Sequence, residues 1–304
     1  MSHQPTAVRL LPDLRRYDAS ASRLIAVMGG VYGNVAALEA CLADARAAGA
    51  DYFICNGDMT GCCGHSDRTL QLLRDNFTVF VAGNHEQQSH AGAETCACNY
   101  AVSEDTQCGS IGHRYSLESL SEANRAWLGT LPELALITTG AGEVLICHGS
   151  PGQTNEFLYE TELDSKPLAT WLDLAGARAF VCTHSGLPWV YALPDGRLAI
   201  NAGVVGKPDH DGDPAVHYLL LTITAGEFRA EIRRVEYDSG SWVAQIAAEG
   251  VEPVFYEPLQ TGVWTVGLAS MPAPLRERQT PIIARNRARV PQSAEVAASG
   301  FALP

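Results

Sequence analysis

The chain has 304 residues, 46% of them hydrophobic, with a formal net charge of −13 and a pI near 5.1. That is enough apolar material for one large domain or two small ones. The acidic balance argues against a general affinity for nucleic acid or anionic membrane, both of which call for basic patches.

The first 22 residues, MSHQPTAVRLLPDLRRYDASAS, lack the apolar run and small-residue cleavage site of a signal peptide, and no later stretch reaches membrane-span length. The expectation is a cytoplasmic protein with an N-terminal extension over residues 1–22. Nine cysteines are many, but the odd total does not suggest a disulfide framework. Cys41, Cys55, Cys147 and Cys182 fall within predicted helix or strands, where buried free thiols are common.

In chain order, Leu24 to Met28 reads as a strand running into a glycine turn, and Asn34 opens an amphipathic helix with Val35, Leu38, Leu42 and Ala45 on one face. Tyr52 to Asn56 reads as a second strand, Asp67 to Arg74 as a helix and Thr78 to Ala82 as a third strand, a βαβαβ beginning. Residues 86–120 lose periodicity and hold Cys96, Cys98 and Cys108, so they read as a long functional or lid-like loop. Ser121 caps a helix through Trp127. Val144 to Cys147 and Ala179 to Cys182 are short strands separated by a loop and a helix around Pro167 to Leu174. Trp189 to Leu193 and Leu198 to Asn201 flank Pro194-Asp195-Gly196 as a hairpin, and Val216 to Thr224 pairs with Phe228 to Tyr237 across a turn at Gly226. Parallel strands early and antiparallel ones late predict an α/β fold (an α+β sandwich) of two facing mixed sheets flanked by helices. The main domain spans 23–271. Residues 272–304 turn Pro/Arg/Ala-rich and read as an extended tail or partner-binding arm, a candidate contact for a homo-oligomer. Truncation after residue 272 is expected to leave the fold intact.

Four predicted strand ends carry polar motifs: NGDMTG (Asn56 to Gly61), GNHE (Gly83 to Glu86), CHGSP (Cys147 to Pro151) and THSGLP (Thr183 to Pro188). A lone His-Gly or Gly-Asp pair is ordinary turn chemistry. Four such motifs, each after an apolar strand, point instead to one sheet edge where α/β proteins place their sites. One Asp, one Asn and three His make a set of metal ligands plus an acid.

These motifs resemble the calcineurin-like metallophosphoesterase superfamily in its bacterial single-domain branch, whose usual order is DxHGN, GDxVG, GNHE or GNHD, HGSP, GHTHxP and NPGSVGxP. They stand here as GVYGN at Gly30, GDMTG at Gly57, GNHE at Gly83, HGSP at His148, THSGLP at Thr183 and NAGVVGKP at Asn201. SEANRAWLGTLP and VEYD also resemble this branch, and the likeness covers about residues 22–260. It implies a four-layer fold with a two-metal site between loops. The ligands of the second metal are implied at Asp58 (bridging), Asn84, His148 and His184, with the catalytic histidine at His85. The other metal's private ligands are missing: its Asp falls at Gly30, its first His at Tyr32 and its second His at Gly186. All three losses fall on one metal, so selective removal is the better reading.

One divalent transition metal, manganese, iron or zinc, is therefore expected, and a small anionic substrate. Asp58 and His85 are the catalytic candidates. A divergent hydrolase of a small phosphoester or related anion is the first reading. The alternatives are a non-hydrolytic enzyme (lyase, isomerase or redox catalyst) using a pocket enlarged at Gly30 and Gly186, and a non-catalytic binding pseudoenzyme. Tyr32 is expected to pack or hydrogen-bond in the vacated space rather than bind ferric ion as phenolate. Lys207 either sets an ammonium near the lost metal's position or is a solvated surface lysine. Cys62 and Cys63, after the GDMTG turn, and Cys96 and Cys98, after GNHE, offer a rebuilt thiolate site, unligated thiols or a reversible disulfide. If the vacated position is open, Gly30→Asp, Tyr32→His and Gly186→His together should restore a second metal.

Overall fold

The computed structural model describes residues 10–224 and 226–288. In chain order the elements are β1 (Leu14–Asp18), β2 (Leu24–Met28), α1 (Val35–Ala47), β3 (Tyr52–Cys55), α2 (Ser66–Asn76), β4 (Val79–Phe80), α3 (Asn84–Ala91), α4 (Ser103–Glu118) and α5 (Glu122–Leu128). Then follow β5 (Leu134–Thr139), β6 (Gly142–Ile146), α6 (Ser165–Ala175), β7 (Ala179–Cys182), β8 (Trp189–Ala192), β9 (Leu198–Asn201), β10 (Val216–Thr224), β11 (Glu227–Val235), α7 (Ser239–Ala248), α8 (Pro253–Thr261) and α9 (Ala273–Arg287).

Strand periodicity sets the layers, because successive side chains face opposite ways. On β2, Ile25 and Val27 pack between the sheets against Ile137, Val181 and Leu219, while Ala26 and Met28 pack outward against Leu38 and Leu42 of α1. On β5 the same alternation sends Ala135 and Ile137 inward, and Leu134 and Leu136 outward against Leu168, Trp171 and Leu172 of α6. The result is helices, sheet, sheet, helices. One sheet runs β1-β5-β6-β7-β9-β8 and the other β11-β10-β2-β3-β4, both mixed.

Three expectations need correction. The N-terminal stretch supplies an edge strand: β1 pairs in parallel with β5, Leu14 opposite Leu134. Its two arginines hid the strand pattern, and charge on an edge strand is ordinary. Residues 1–9 lie outside the described residues. The long loop at 86–120 holds most of α3 and all of α4. The buried face of α4 is Asp105, Gly112, His113 and Ser116, so it has helical period without an apolar stripe for the period to show in. Finally, the tail is not extended where it is described. Leu275 of α9 is buried with Trp264 and Met271, Gln279 Nε2 donates to the Asp209 carbonyl at 3.1 Å, and Asn286 Nδ2 donates to that of Asp211 at 3.0 Å. Residues 289–304 lie outside the described ones.

Candidate metal centre

The segments after β3, β4, β6 and β7 converge at one end of the sandwich. Glu86, in the first turn of α3, ties two of them together: its carboxylate accepts the backbone N–H of Asp58 (2.7 Å), Met59 (2.9 Å) and Gly83 (2.8 Å). Burial, with the nearby Asp58 charge, pushes this carboxyl up to about 7. The motif letter was visible in the sequence, but this bracing role was not. The N–H clamp helps hold Asp58 at φ 53°, a left-handed conformation that non-glycine residues seldom take outside constrained sites.

His148 Nε2 lies 3.2 Å from Asp58 Oδ2, 3.1 Å from Asn84 Oδ1 and 3.0 Å from His184 Nδ1. Second partners set the tautomers and the amide orientation. His148 Nδ1 stands 3.0 Å from the Asn56 carbonyl and His184 Nε2 3.2 Å from that of Cys98. A carbonyl only accepts, so each of those nitrogens carries the proton and the opposite nitrogen presents a lone pair inward. Asn84 Nδ2 donates to the Cys96 carbonyl at 2.7 Å, turning Oδ1 inward. Four lone-pair atoms therefore face one another, and all four residues are at most 7% exposed. A lone proton on His148 Nε2 can serve only one of three acceptors, whereas a cation serves all four donors at once.

The electrostatics agree. Burial works against the Asp58 carboxylate, but His148, His85 and His184 hold its pKa well below the usual range. Burial works against a charged His148 too, and Asp58 outweighs it, raising the pKa. His184 is pushed down to about 3 by burial and by His148, and His85 is lowered by burial.

Sequence and fold comparisons place the chain in a known group. The profile described as calcineurin-like phosphoesterase matches residues 23–222. The chain belongs to that family. It is 27% identical over 231 residues to an uncharacterized protein of Methanocaldococcus jannaschii, covering 71% of this chain and 88% of the relative. Its fold is similar to the crystal structure of a metallophosphoesterase from Sphaerobacter thermophilus (TM-score 0.62, 24% identity, 80% of this chain and 100% of that one). A hypothetical protein from Pyrococcus horikoshii gives a TM-score of 0.63 at 16% identity, covering 79% of this chain and 99% of the other. As in that family, two mixed sheets with flanking helices carry candidate ligands at their loops. No helix among the described residues is long and apolar enough to cross a membrane.

The resemblance puts the other metal's private ligands at Gly30, Tyr32 and Gly186, and side chains pack closely against both glycines. A Cβ on Gly30 would stand 2.7 Å from Val204 Cβ and closer still to Cγ1, and Gly30 has φ 56°. A Cβ on Gly186 (φ 73°) would meet the Trp264 ring at 3.3 Å and Lys207 Cε at 3.6 Å. Tyr32 sits edge-on to His85, ring centroids 5.8 Å apart, and burial keeps its hydroxyl protonated by raising its pKa well above 10. Lys207 is no solvated surface lysine: it is only partly exposed, with Nζ 4.2 Å from the Trp264 ring centroid and 5.3 Å from that of Tyr32. Among the described residues it forms no ion pair.

One cavity is lined by Tyr32, Asp58, Cys62, Cys63, His85, Cys98, His184 and Lys207 together with a wall of Tyr100, Phe157, Tyr159, Phe255 and Trp264. Cys62 and Cys63 stay free, sulfurs 3.8 Å apart. Hydrogen bonding to Cys63 lowers the Cys62 pKa, with Lys207 adding to it. Cys96 and Cys98 are joined as a disulfide. The aromatic wall went unread in the sequence because its members come from segments without periodicity. Phe157, tilted over His184 at 4.4 Å, and Trp264 have no motif to mark them.

Proposed function

We propose that this chain is a divergent metal-dependent hydrolase of small phosphoesters or related anionic esters. One divalent transition metal, manganese, iron or zinc, would be held by Asp58, Asn84, His148 and His184, a mixed O/N set that suits these ions. The observation that carries the reading is the convergence of four lone pairs on one point, with each histidine tautomer and the Asn84 amide fixed by a backbone carbonyl. When bound, such an ion polarises a phosphoryl oxygen and lowers the pKa of a water.

The chain's own residues supply the rest. Asp58 keeps its negative charge throughout the working pH range, because its folded pKa lies well below the ordinary one. Lys207, which has no carboxylate partner among the described residues, offers a cation at the edge of the same cavity, where it holds an anionic substrate oxygen in place of a second metal's charge. His85 is neutral near pH 7 and gives an N–H to the leaving-group oxygen. The aromatic wall admits a flat or apolar leaving group and excludes water around it.

Metal content together with turnover tests this. Wild type should bind about one equivalent and hydrolyse simple phosphomonoesters or phosphodiesters carrying an aromatic leaving group. His148→Ala should lose both, because one buried ligand is gone and His184 Nδ1 and Asp58 are left unpaired. Two equivalents in the wild type, or undiminished metal in the variant, would overturn the ligand assignment. Stoichiometric metal without hydrolysis of any such ester would overturn the reaction.

A further inference from the structure

Only the backbone carbonyls of Cys96 and Cys98 serve that reading, by orienting Asn84 and His184; their sulfurs have no part in it, yet Cys98 enters the same cavity. Cys98 Sγ stands 3.8 Å from His85 Nε2. The backbone N–H of Cys98 points at Cys96 Sγ, 3.3 Å away, and Asn84 Nδ2 donates to Cys98 Sγ at 3.4 Å. Each sulfur thus has its own N–H donor, the kind of outer hydrogen bond that steadies charged thiolates at metal sites. Ligand atoms of His85, Cys96 and Cys98 all lie within 4.8 Å of one another, and all three residues are buried. His85 Nδ1 has no hydrogen-bond partner among the described residues although the residue is only 8% exposed.

We propose that the dithiol form of this segment, together with His85 Nε2, is a second metal site for a thiophilic cation such as zinc or cadmium, separate from the Asp58 set and independent of whether that set is occupied. Zn–S bonds of about 2.3 Å and Zn–N bonds of about 2.0 Å at tetrahedral angles put neighbouring N and S ligands about 3.6 Å apart. His85 Nε2 and Cys98 Sγ already stand close to that separation. The two sulfurs need only part once the disulfide is opened. A small dithiol reductant opens it: two electrons and two protons pass to Cys96 and Cys98, and the reductant leaves as its own cyclic disulfide. Metal binding then releases both thiol protons to solvent. Three protein ligands leave a fourth position toward the cavity, and two sulfurs bias the site to softer ions than the O/N set beside it takes. Because His85 Nε2 cannot hold a proton and bind a metal at once, loading this site should suppress any turnover that depends on a proton at Nε2.

The test is metal stoichiometry of the full chain before and after anaerobic dithiol treatment and dialysis against zinc. Reduction should add about one equivalent. Cys96→Ser/Cys98→Ser should lose that increment and keep the metal of the Asp58 set, whereas His148→Ala should keep the increment and lose the other, so the two readings fail separately. Cobalt(II) in the reduced wild type should show a thiolate-to-cobalt charge-transfer absorption that the double variant lacks. If the double variant does not fold, the wild type still decides: zinc should protect Cys96 and Cys98 from iodoacetamide, read on the peptide that contains them. An unchanged stoichiometry on reduction, a charge-transfer band that survives in the double variant, or equal alkylation with and without zinc would overturn the proposal.

Discussion

Gly30→Asp puts a carboxylate where the family resemblance places one, and the packing there says it should destabilise rather than rebuild. At φ 56° an L side chain costs roughly 1–2 kcal/mol, and the new Cβ would overlap Val204, whose Cβ lies 2.7 Å from that position. Overpacking of this kind typically costs about 1–3 kcal/mol more. Together that is about 2–5 kcal/mol, or a fall of roughly 3–8 °C in Tm at about 2 cal/mol/K of unfolding entropy per residue. Thermal unfolding followed by circular dichroism, with metal analysis on the same samples, measures it. Adding Val204→Ala should return part of the loss by removing the overlap but not the backbone strain. Gly30→Asp/Tyr32→His/Gly186→His should stay at one metal or fail to fold, since Trp264 and Lys207 occupy the space beside Gly186. A Gly30→Asp protein that melts within about 1 °C of wild type, or a folded triple variant with two metals, would show that the position is open and the steric argument wrong.

Lys207→Met should raise KM for an anionic ester about 10- to 100-fold, the loss of one charge-assisted contact worth about 1.5–3 kcal/mol, while Lys207→Arg recovers part of it; steady-state kinetics and inorganic phosphate inhibition report this. Leu275→Ala should lower stability by about 2–4 kcal/mol, because Leu275 is only 2% exposed. Truncation after residue 272 should likewise lower the melting temperature, contrary to the sequence-based expectation. His210 is held down to about 4 from 6.5 by burial, its Nδ1 accepting the Trp264 N–H at 2.9 Å. The unfolded chain therefore takes up this proton first as pH falls. The His210 contribution is complete above pH 6.5 and is lost progressively toward pH 4. In His210→Asn, whose side chain tolerates the local φ of 61°, the slope of Tm against pH across that window should flatten.

Much of the site could be read from the sequence because its ligands sit directly after short apolar strands, and a strand-turn motif is local information. The resemblance named Asp58, Asn84, His148 and His184 as candidate ligands, and the structure brings their side chains together. The two mixed sheets were legible too, since β2, β6, β7 and β10 are short apolar runs buried on both faces. The tertiary structure decided what local pattern cannot encode. Helix α4 buries Gly112, His113 and Ser116 against neighbours rather than an apolar stripe, so its period is silent in hydropathy. Strand β1 becomes visible only through its partner β5, and α9 only through Trp264 and the Asp209–Asp211 carbonyls. The neighbours of Gly30 and Gly186 are Val204, against Gly30, and Trp264 and Lys207, against Gly186; Val204 and Trp264 come from far along the chain. A glycine at a turn is written in one letter, but whether the space beside it is left empty or filled depends on which side chains fold against it.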